Sequence, residues 1–301
     1  MADTSTIVIS FVGDVMLDET PGQYIRQGKD PFDDFRKVLL ESDLRIANLE
    51  CAVSAKKGRP EDKPFVFKAH PRVLPILKKH FNAVSLANNH AYDYGEKIFL
   101  DTLGLLEETG LKYFGGGRNI FDAHSPLIFN VKGRKIALLG YNEFFPRSFE
   151  ALPDRAGIAW SEDDYVKHDI RQAREVYGAD VVITYPHWGF EHEKFASPRQ
   201  VHLARLMIDS GADAVIGGHP HVTQNIEIYK GKPIFYSLGN FVFNGFTDEE
   251  ANTGWLVQLF IDGEEISWKV HEAKINKLGI PKYSRLLTAS DFNPPEYTIN
   301  P

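Results

Sequence analysis

Two histidines separated by a single proline are the residues of this chain best suited to chemistry. A strand-like run at residues 212–216 leads directly into Gly217-Gly218-His219-Pro220-His221. Glycine lets the backbone approach a neighbour closely and proline stiffens the turn, so both imidazoles can face one pocket. Neutral imidazole is the commonest metal ligand among side chains. The sequence therefore predicts a metal-binding turn at the end of this strand.

Five further strand-like runs end in residues of the same chemical kind. They cover residues 6–12, 43–47, 82–87, 180–185 and 233–238, and they lead into Gly13-Asp14, Asn48-Leu49-Glu50, Asn88-Asn89-His90, His187-Trp188-Gly189 and Gly239-Asn240. Short runs rich in Val, Ile, Phe and Tyr are typical of buried strands. In open α/β sheets, ligands bind beyond the carboxyl ends of the strands. Asp, Glu, Asn and His are ligands of transition metals, so we expect one metal site at a shared sheet edge.

Helix-like and strand-like segments alternate in the first half of the chain, and hairpins follow in the second half. The predicted helices cover residues 31–41, 71–80, 95–109, 162–177 and 198–210, and the predicted hairpins cover 128–140, 226–238 and 255–271. This order favours an α/β fold built as a layered α/β/β/α sandwich. We expect a single domain over residues 1–301, with a core at about 6–272 and a surface tail at 290–301.

The composition narrows the function class and the partners. The chain has 301 residues, 43% of them hydrophobic and 25% charged, a net charge of −7 and one cysteine, Cys51, which excludes an intramolecular disulfide. It lacks a basic cluster interleaved with aromatic residues, so we expect no nucleic-acid partner. No apolar run reaches the roughly 18 residues that a membrane span needs, and no signal-peptide pattern is present. We therefore expect a cytoplasmic protein with no transmembrane segment; its oligomeric state stays open.

The ordered set of motifs resembles the CapA family, which is named for poly-γ-glutamate capsule biosynthesis. The resemblance runs from about residue 7 to residue 243. It rests on Gly13-Asp14, Asn48-Leu49-Glu50, Asn88-Asn89-His90 with Asp93-Tyr94-Gly95, His187-Trp188-Gly189, Gly218-His219-Pro220-His221 and Ser237-Leu238-Gly239-Asn240-Phe241. CapA-like proteins are similar to divergent members of the calcineurin-like metallophosphoesterase superfamily. The resemblance implies a four-layer α/β/β/α sandwich around two divalent ions.

The same resemblance assigns roles to individual residues. It implies the metal ligands Asp14, Glu50, Asn89, His187, His219 and His221, with Glu50 bridging the two ions and His90 as the catalytic acid. The mixed oxygen and nitrogen set suits Mn, Fe or Zn. The superfamily has a histidine where this chain has Met16, which predicts a weakened first metal site. Asp18 is close enough in sequence to compensate.

Three functions are compatible with this set of residues. The leading hypothesis is a hydrolase whose dinuclear centre activates water against a phosphoester or γ-glutamyl peptide bond. The second is a metal-dependent peptide epimerase that uses Lewis-acid and acid/base chemistry. The third is a non-catalytic component that binds polymer during capsule synthesis or export. The family name points to a small-molecule, anionic peptide or polymer partner, by analogy only.

The predicted substrate contacts carry a weaker signal than the predicted ligands. Lys68 could meet an anionic substrate, Tyr94 and Trp188 are predicted pocket walls, and Asn240 is equally a turn residue. Loops at 52–64, 144–160 and 190–198 are expected to set specificity, and they show no recognisable motif.

Overall fold

The computed structural model describes residues 6–292. Its strands are β1 Ile7–Val15, β2 Leu44–Leu49, β3 Ala52–Val53, β4 Lys68–Ala69, β5 Ala83–Ser85, β6 Lys112–Phe114, β7 Gly116–Gly117, β8 Leu127–Val131, β9 Arg134–Asn142, β10 Gly157–Ile158, β11 Val181–His187, β12 Ala214–Ile216, β13 Ile226–Tyr229, β14 Lys232–Phe235, β15 Asn240–Val242, β16 Thr253–Asp262, β17 Glu265–Ile275 and β18 Pro281–Leu286. Its α-helices are α1 Glu19–Arg26, α2 Arg36–Leu40, α3 Leu74–His80, α4 Gly95–Thr109, α5 Ile120–His124, α6 Asp163–Glu175 and α7 Pro198–Asp209. Short 3-10 turns cover Asp33–Phe35, Pro71–Val73, Arg147–Phe149 and Ala289–Asp291.

Two large mixed sheets form the centre of the fold. The first has the order β18-β17-β16-β1-β2-β5-β6, with β15 also paired to β1, and the second has the order β13-β14-β12-β11-β9-β8. β1, β2, β5 and β6 run parallel, as do β9, β11, β12 and β14, and antiparallel strands complete both sheets. The parallel strands in the middle of each sheet therefore deliver their carboxyl ends to one edge of that sheet.

The strand pattern divides the hydrophobic core into three parts. Alternate residues of a strand face opposite sides of its sheet. In β1, Phe11 packs between the two sheets, whereas Val12 packs on the outer side with residues of α3 and α4. In β11, Ile183 faces the inter-sheet core and Val182 faces residues of α6 and α7. The layers are therefore helix, sheet, sheet and helix, and the predicted α/β/β/α sandwich is confirmed.

The local sequence explains most of the helices. α7 begins at Pro198 with a capping box between Ser197 and Gln200, and α4 ends at Gly110 in a left-handed conformation, as expected of caps. The predicted helix at 31–41 is instead the 3-10 turn Asp33–Phe35 followed by α2. α1 was not predicted from the sequence, because Pro21 and Gly22 lie inside it and disfavour a helix.

The end of the chain differs from the expected boundaries. β18 pairs with β17, so the first sheet continues beyond residue 272, where the core was expected to end. Most of the predicted tail at 290–301 lies outside the described residues. None of the helices within residues 6–292 combines the length and the apolar character that a bilayer-spanning segment requires.

Candidate metal centre

The ends of the parallel strands from both sheets meet at one place. Asp14 is paired with Asn48 of β2 and with Asn240 of β15 in the strand register. A β-bridge joins His187 at the end of β11 to Gly218 after β12. The side chains that follow the separate strand-like runs in the sequence are therefore neighbours in space.

Glycine is required where the two sheets meet. A Cβ atom on Gly218 would lie 2.8 Å from Oδ1 of Asp14, and a Cβ atom on Gly13 would lie 1.9 Å from the carbonyl oxygen of Gly239. Real Cβ atoms essentially never approach other heavy atoms so closely. Gly218 therefore allows the histidine turn to approach the Asp14 carboxylate, and Gly13 allows β1 to approach the segment that precedes β15.

The histidine turn has an unusual backbone. His219 has a φ of 96° and His221 a φ of 59°. Positive φ is uncommon for residues with a Cβ atom, and such strain occurs mainly where the surroundings hold a functional group in place. In this conformation ligand atoms of both imidazoles lie within 4.8 Å of Glu50.

Glu50 lies in the middle of the cluster with no hydrogen-bond partner. Neither Oε1 nor Oε2 is bonded, although the side chain is fully buried. Oε1 lies 3.5 Å from Nε2 of His187, and 4.0 Å from Nε2 of both His90 and His221. Burial, and then the neighbouring Asp14, raise the pKa of Glu50 well above its ordinary value. An unpartnered buried carboxylate is costly, so this position calls for a positive ligand.

Asp14 is the second buried carboxylate. Its Oδ1 accepts a hydrogen bond of 2.8 Å from Nδ2 of Asn48, and its Oδ2 accepts one of 3.2 Å from the backbone N–H of His219. The same Oδ2 lies 3.6 Å from Nδ1 of His221. Burial raises the pKa of Asp14 to about 6, although the hydrogen bonds from Asn48 and His219 oppose the shift.

His187 and His219 converge with Asn89. Nε2 of His187 lies 2.9 Å from Oδ1 of Asn89 and 3.2 Å from Nδ1 of His219, whose Nε2 has no partner. Burial, and then the neighbouring imidazoles, lower the pKa of His187 and His219 well below the ordinary value. Both rings are therefore neutral at pH 7, the form in which imidazole binds a metal.

His221 is oriented by Asn240. Nδ1 of His221 lies 2.8 Å from Oδ1 of Asn240, and Nδ2 of Asn240 donates to the carbonyl oxygens of His221 and Ala251. This contact leaves Nε2 of His221 free to face Glu50. Burial lowers the pKa of His221 to about 3. Asn240 is fully buried and therefore orients a ligand-type histidine instead of facing an open pocket.

Two asparagines that were not among the predicted site residues hold the cluster together. Besides its bond to Asp14, Nδ2 of Asn48 lies 3.2 Å from Nδ1 of His187. Nδ2 of Asn88 donates to Oδ1 of Asn48 at 2.9 Å, and Oδ1 of Asn88 accepts from the backbone N–H of His90 at 3.0 Å. Both residues belong to the strand-end motifs of the sequence, and this position is the signal that could have identified them as site residues.

His90 forms the boundary of the cluster beside Glu50. Its Nδ1 lies 2.7 Å from Oδ2 of Asp93, so its Nε2 is the atom that faces Glu50. Burial lowers the pKa of His90, while Asp93 opposes the shift. The ring of Phe67 packs 4.7 Å from the ring of His90, between centroids.

The arrangement fits divalent metal ions. Ligand atoms of Asp14, Glu50 and His187 lie within 4.8 Å of one another, as do those of Glu50, His219 and His221. Glu50 belongs to both sets, and its two oxygens are the unpartnered atoms. Imidazole and carboxylate groups are ligands that transition metals take.

The side chains of Met16 and Asp18 make their contacts outside this group of ligand-type residues. Met16 is fully buried in the apolar core on the helix side of the first sheet, and its Sδ accepts from the backbone N–H of Asp18 at 3.1 Å. Oδ1 of Asp18 caps α1 through the N–H of Glu19, and Oδ2 accepts from the N–H of Lys68 at 2.8 Å. Asp18 therefore does not replace the imidazole that is absent at position 16.

The side chains of the other predicted substrate contacts, Lys68, Tyr94 and Trp188, bond or pack with other parts of the chain. Nζ of Lys68 sits 4.7 Å above the ring centroid of Tyr94 and donates to the carbonyl oxygen of Lys56. Trp188 is buried in the core between the second sheet and its helices, where its indole N–H donates to the carbonyl oxygen of Tyr236. Trp188 therefore supports the site from within the core.

Comparison with known proteins places this site in a family. A family model described as the bacterial capsule synthesis protein PGA_cap matches residues 8–245. The chain belongs to the PGA_cap family. The capsule biosynthesis protein CapA of Bacillus anthracis is 35% identical over 252 residues, which are 80% of this chain and 61% of that protein. The PGA biosynthesis protein CapA of Bacillus subtilis (strain 168) is 35% identical over 244 residues, with 78% and 63% covered.

These relatives confirm the predicted membership of the CapA family. The PGA_cap chain described here spans somewhat over three fifths of the length of the two Bacillus proteins. A probable polyglutamine synthesis accessory protein of Mycobacterium tuberculosis is 27% identical over 263 residues. These relatives are thus named for capsule biosynthesis, PGA biosynthesis and polyglutamine synthesis.

A solved structure shares the fold. The NAD nucleotidase NadN of Haemophilus influenzae superposes with a TM-score of 0.52 at 13% identity, covering 95% of this chain and 60% of that chain. At this identity the likeness concerns the fold alone. The four-layer α/β/β/α fold predicted from the sequence is thus also found in a solved structure.

Proposed function

We propose that this PGA_cap protein is a metal-dependent hydrolase with a dinuclear centre. The observation that carries the proposal is Glu50, whose two buried carboxylate oxygens have no partner and whose neighbours are three imidazoles within 4.0 Å. Bound cations reverse the effect of burial on carboxylate pKa values, so ion binding would stabilise Glu50 and Asp14 in the charged form.

Under this proposal Asp14, Glu50 and His221 would hold one ion, and Glu50, Asn89, His187 and His219 would hold the other. When bound, two such ions supply an activated water nucleophile and polarise the scissile group. The side chains would contribute orientation, because Asn48, Asn88 and Asn240 fix the ligand-type residues through hydrogen bonds.

His90 is the proposed general acid. Its Nδ1 lies beside Oδ2 of Asp93, and its Nε2 faces Glu50. His90 is not one of the predicted metal ligands. In this position Nε2 could deliver a proton to the leaving oxygen or nitrogen of a substrate held beside Glu50. The substrate class we propose is an anionic phosphoester or a γ-glutamyl peptide, and relatives named for PGA biosynthesis and polyglutamine synthesis support the peptide.

Elemental analysis combined with a turnover screen tests the proposal. Protein purified without chelator or affinity-tag metal should contain about two equivalents of Mn, Fe or Zn. It should hydrolyse at least one member of a panel of phosphoesters and γ-glutamyl peptides. Glu50→Gln should lose both properties, since the bridging charge is removed.

The two other hypotheses are outcomes of the same experiment. If solvent deuterium appears at an α-carbon without cleavage, the reaction is epimerisation and not hydrolysis. Polymer binding that persists after the metal is lost would favour the non-catalytic role. Protein that takes up no metal after reconstitution would overturn the hydrolase proposal.

A further inference from the structure

Lys63 contacts the proposed general acid although it comes from a loop without a recognisable motif. Its Nζ donates to the carbonyl oxygen of Asn89 and forms an ion pair with Oδ1 of Asp93, both at 2.5 Å. The Lys63 side chain is 15% exposed and the Asp93 side chain is 0% exposed. A buried carboxylate needs such a counter-charge, because removing one partner of a buried pair leaves an uncompensated charge.

The second oxygen of Asp93 determines which way His90 faces. Oδ2 accepts a hydrogen bond of 2.7 Å from the backbone N–H of Phe67 and lies 2.7 Å from Nδ1 of His90. Nζ of Lys63 lies farther from that nitrogen, at 3.2 Å, and an ammonium group can only donate. The proton on Nδ1 is therefore directed at Asp93, and Nε2 is the ring nitrogen that faces Glu50.

The same loop encloses the His90–Asp93 pair from two sides. The backbone N–H of Glu61 donates to the carbonyl oxygen of Asp93 at 2.8 Å. The ring of Phe67 packs against His90. Lys63 lies between these two contacts and joins the loop to both ends of the segment from Asn89 to Asp93.

We propose that Lys63 is a positioning residue for His90. Its ammonium group neutralises the buried carboxylate of Asp93 through an ion pair with Oδ1, which leaves Oδ2 to hold Nδ1 of His90 so that Nε2 stays aimed at the cluster. The proposal rests on the proposed function for its catalytic consequence. The orientation of the His90 ring can be measured without any substrate.

Proton NMR of the full-length protein tests the orientation directly. A proton on a buried imidazole nitrogen that is bonded to a carboxylate exchanges slowly and gives a resolved downfield resonance. Wild-type protein should show this resonance for Nδ1 of His90, assigned by its loss in His90→Gln. Lys63→Met should broaden or remove it, and Lys63→Arg, which keeps the charge, should restore most of it.

The chain contains a matched internal control for this measurement. Nδ1 of His124 lies 2.7 Å from Oδ2 of Asp169, the same separation as in the His90–Asp93 pair, but between α5 and α6. The His124 resonance should persist in Lys63→Met. Loss of both resonances would mark general unfolding, and the milder Lys63→Gln would then be measured. If Lys63→Gln also lost both, Lys63 would be a residue of global stability, and the proposal would be overturned.

Steady-state kinetics test whether Lys63 affects turnover. They use any phosphoester or γ-glutamyl peptide that the wild-type protein hydrolyses. Lys63→Met should lower kcat about 10- to 100-fold, as is typical of residues that orient a functional group, with little change in KM or metal content. In the His90→Gln background the same substitution should have no further effect on kcat, because the ring that it positions is gone.

Failure of this proposal differs from failure of the proposed function. If no substrate is turned over, hydrolysis fails while the NMR result still decides the role of Lys63. If Lys63→Met keeps both the His90 resonance and the wild-type kcat, Lys63 only anchors the loop, and the positioning role is wrong. Additive effects of Lys63→Met and His90→Gln on kcat would also overturn it.

Discussion

Two clusters in this molecule combine carboxylates with a buried histidine, and they satisfy their charges in different ways. In the metal-centre cluster, formed by Asp14, Glu50, His187, His219 and His221, both oxygens of Glu50 lack a partner. In the Asp30 cluster, formed by Asp30, Asp33 and His80, Oδ2 of Asp30 lies 2.7 Å from both Nε2 of His80 and Nζ of Lys79.

The difference shows that residue types alone do not define a metal site. Oδ1 of Asp30 also accepts from the backbone N–H of Phe32 at 3.0 Å, so this carboxylate is fully occupied and only partly buried. The chain itself supplies the counter-charge there. At Glu50 the neighbours are the Asp14 carboxylate and neutral imidazoles, so we expect the counter-charge to come from a bound ion.

The largest effect should come from removing an imidazole of the metal-centre cluster. We expect His219→Ala to lose most of the bound metal, because it removes a ligand-type group beside His187 and Asn89. His80→Ala is the matched control: it removes a buried histidine from the Asp30 cluster, and metal content should not change. Elemental analysis of both variants checks this. Equal metal loss in the two proteins would remove the distinction between the clusters.

Metal removal should destabilise the protein through the metal-centre cluster. A ligand present at about 1,000 times its Kd stabilises the folded state by about 4 kcal/mol, and chelation should withdraw a contribution of this order. Urea unfolding with and without chelator measures the change. His219→Ala should be insensitive to chelator, and a wild-type protein that is equally insensitive would contradict a metal at this position.

A smaller effect is expected from crowding the carboxylate without removing any ligand. Gly218→Ala would place a Cβ atom 2.8 Å from Oδ1 of Asp14, so the carboxylate or the histidine turn must move. We expect metal affinity to fall about tenfold, equivalent to about 1.4 kcal/mol. Gly104→Ala in α4, where a Cβ atom meets nothing within 4 Å, should leave affinity unchanged. Metal titration of the two variants measures their metal affinities and checks this difference.

The smallest effect should come from the Asp30 cluster. Asp30→Asn should cost about 1 kcal/mol of unfolding free energy at pH 7, as partly exposed ion pairs do, and should not change metal content. Burial opposes ionisation of Asp30, but hydrogen bonds from His80 and Lys79 outweigh it and lower its pKa.

The pH dependence of this cost follows from the lowered pKa. Ionised Asp30 stabilises the fold above the unfolded-state pKa of about 3.9, and its contribution is lost as the pH falls through the lower folded-state value. The difference between wild type and Asp30→Asn in urea unfolding should therefore shrink below pH 4. A difference that stayed constant from pH 7 to pH 3 would show that the carboxylate charge plays no part.

Much of the fold and of the site follows from local sequence. Apolar β-branched runs predicted β1, β2, β5, β11, β12 and β14, and the polar residues after them predicted where the site would lie, because parallel strands deliver their carboxyl ends to one edge. The layered architecture follows from strands that place alternate residues in two different cores. Family membership was predictable for the same reason, since the order of the strand-end motifs is a property of the sequence.

The tertiary structure decided which neighbours these residues have. Lys63 reaches Asp93 across 30 positions of sequence, and no local pattern marks a lone lysine in a loop as the partner of a distant carboxylate. Trp188 turns into the core and Asn240 turns toward His221, because packing and hydrogen bonding in three dimensions select the direction of a side chain after a strand. The sequence by itself determined the strand ends and the ligand types that follow them. Only the folded chain determined which of these groups is a buried carboxylate without a hydrogen-bond partner, because that depends on contacts between residues far apart in the sequence.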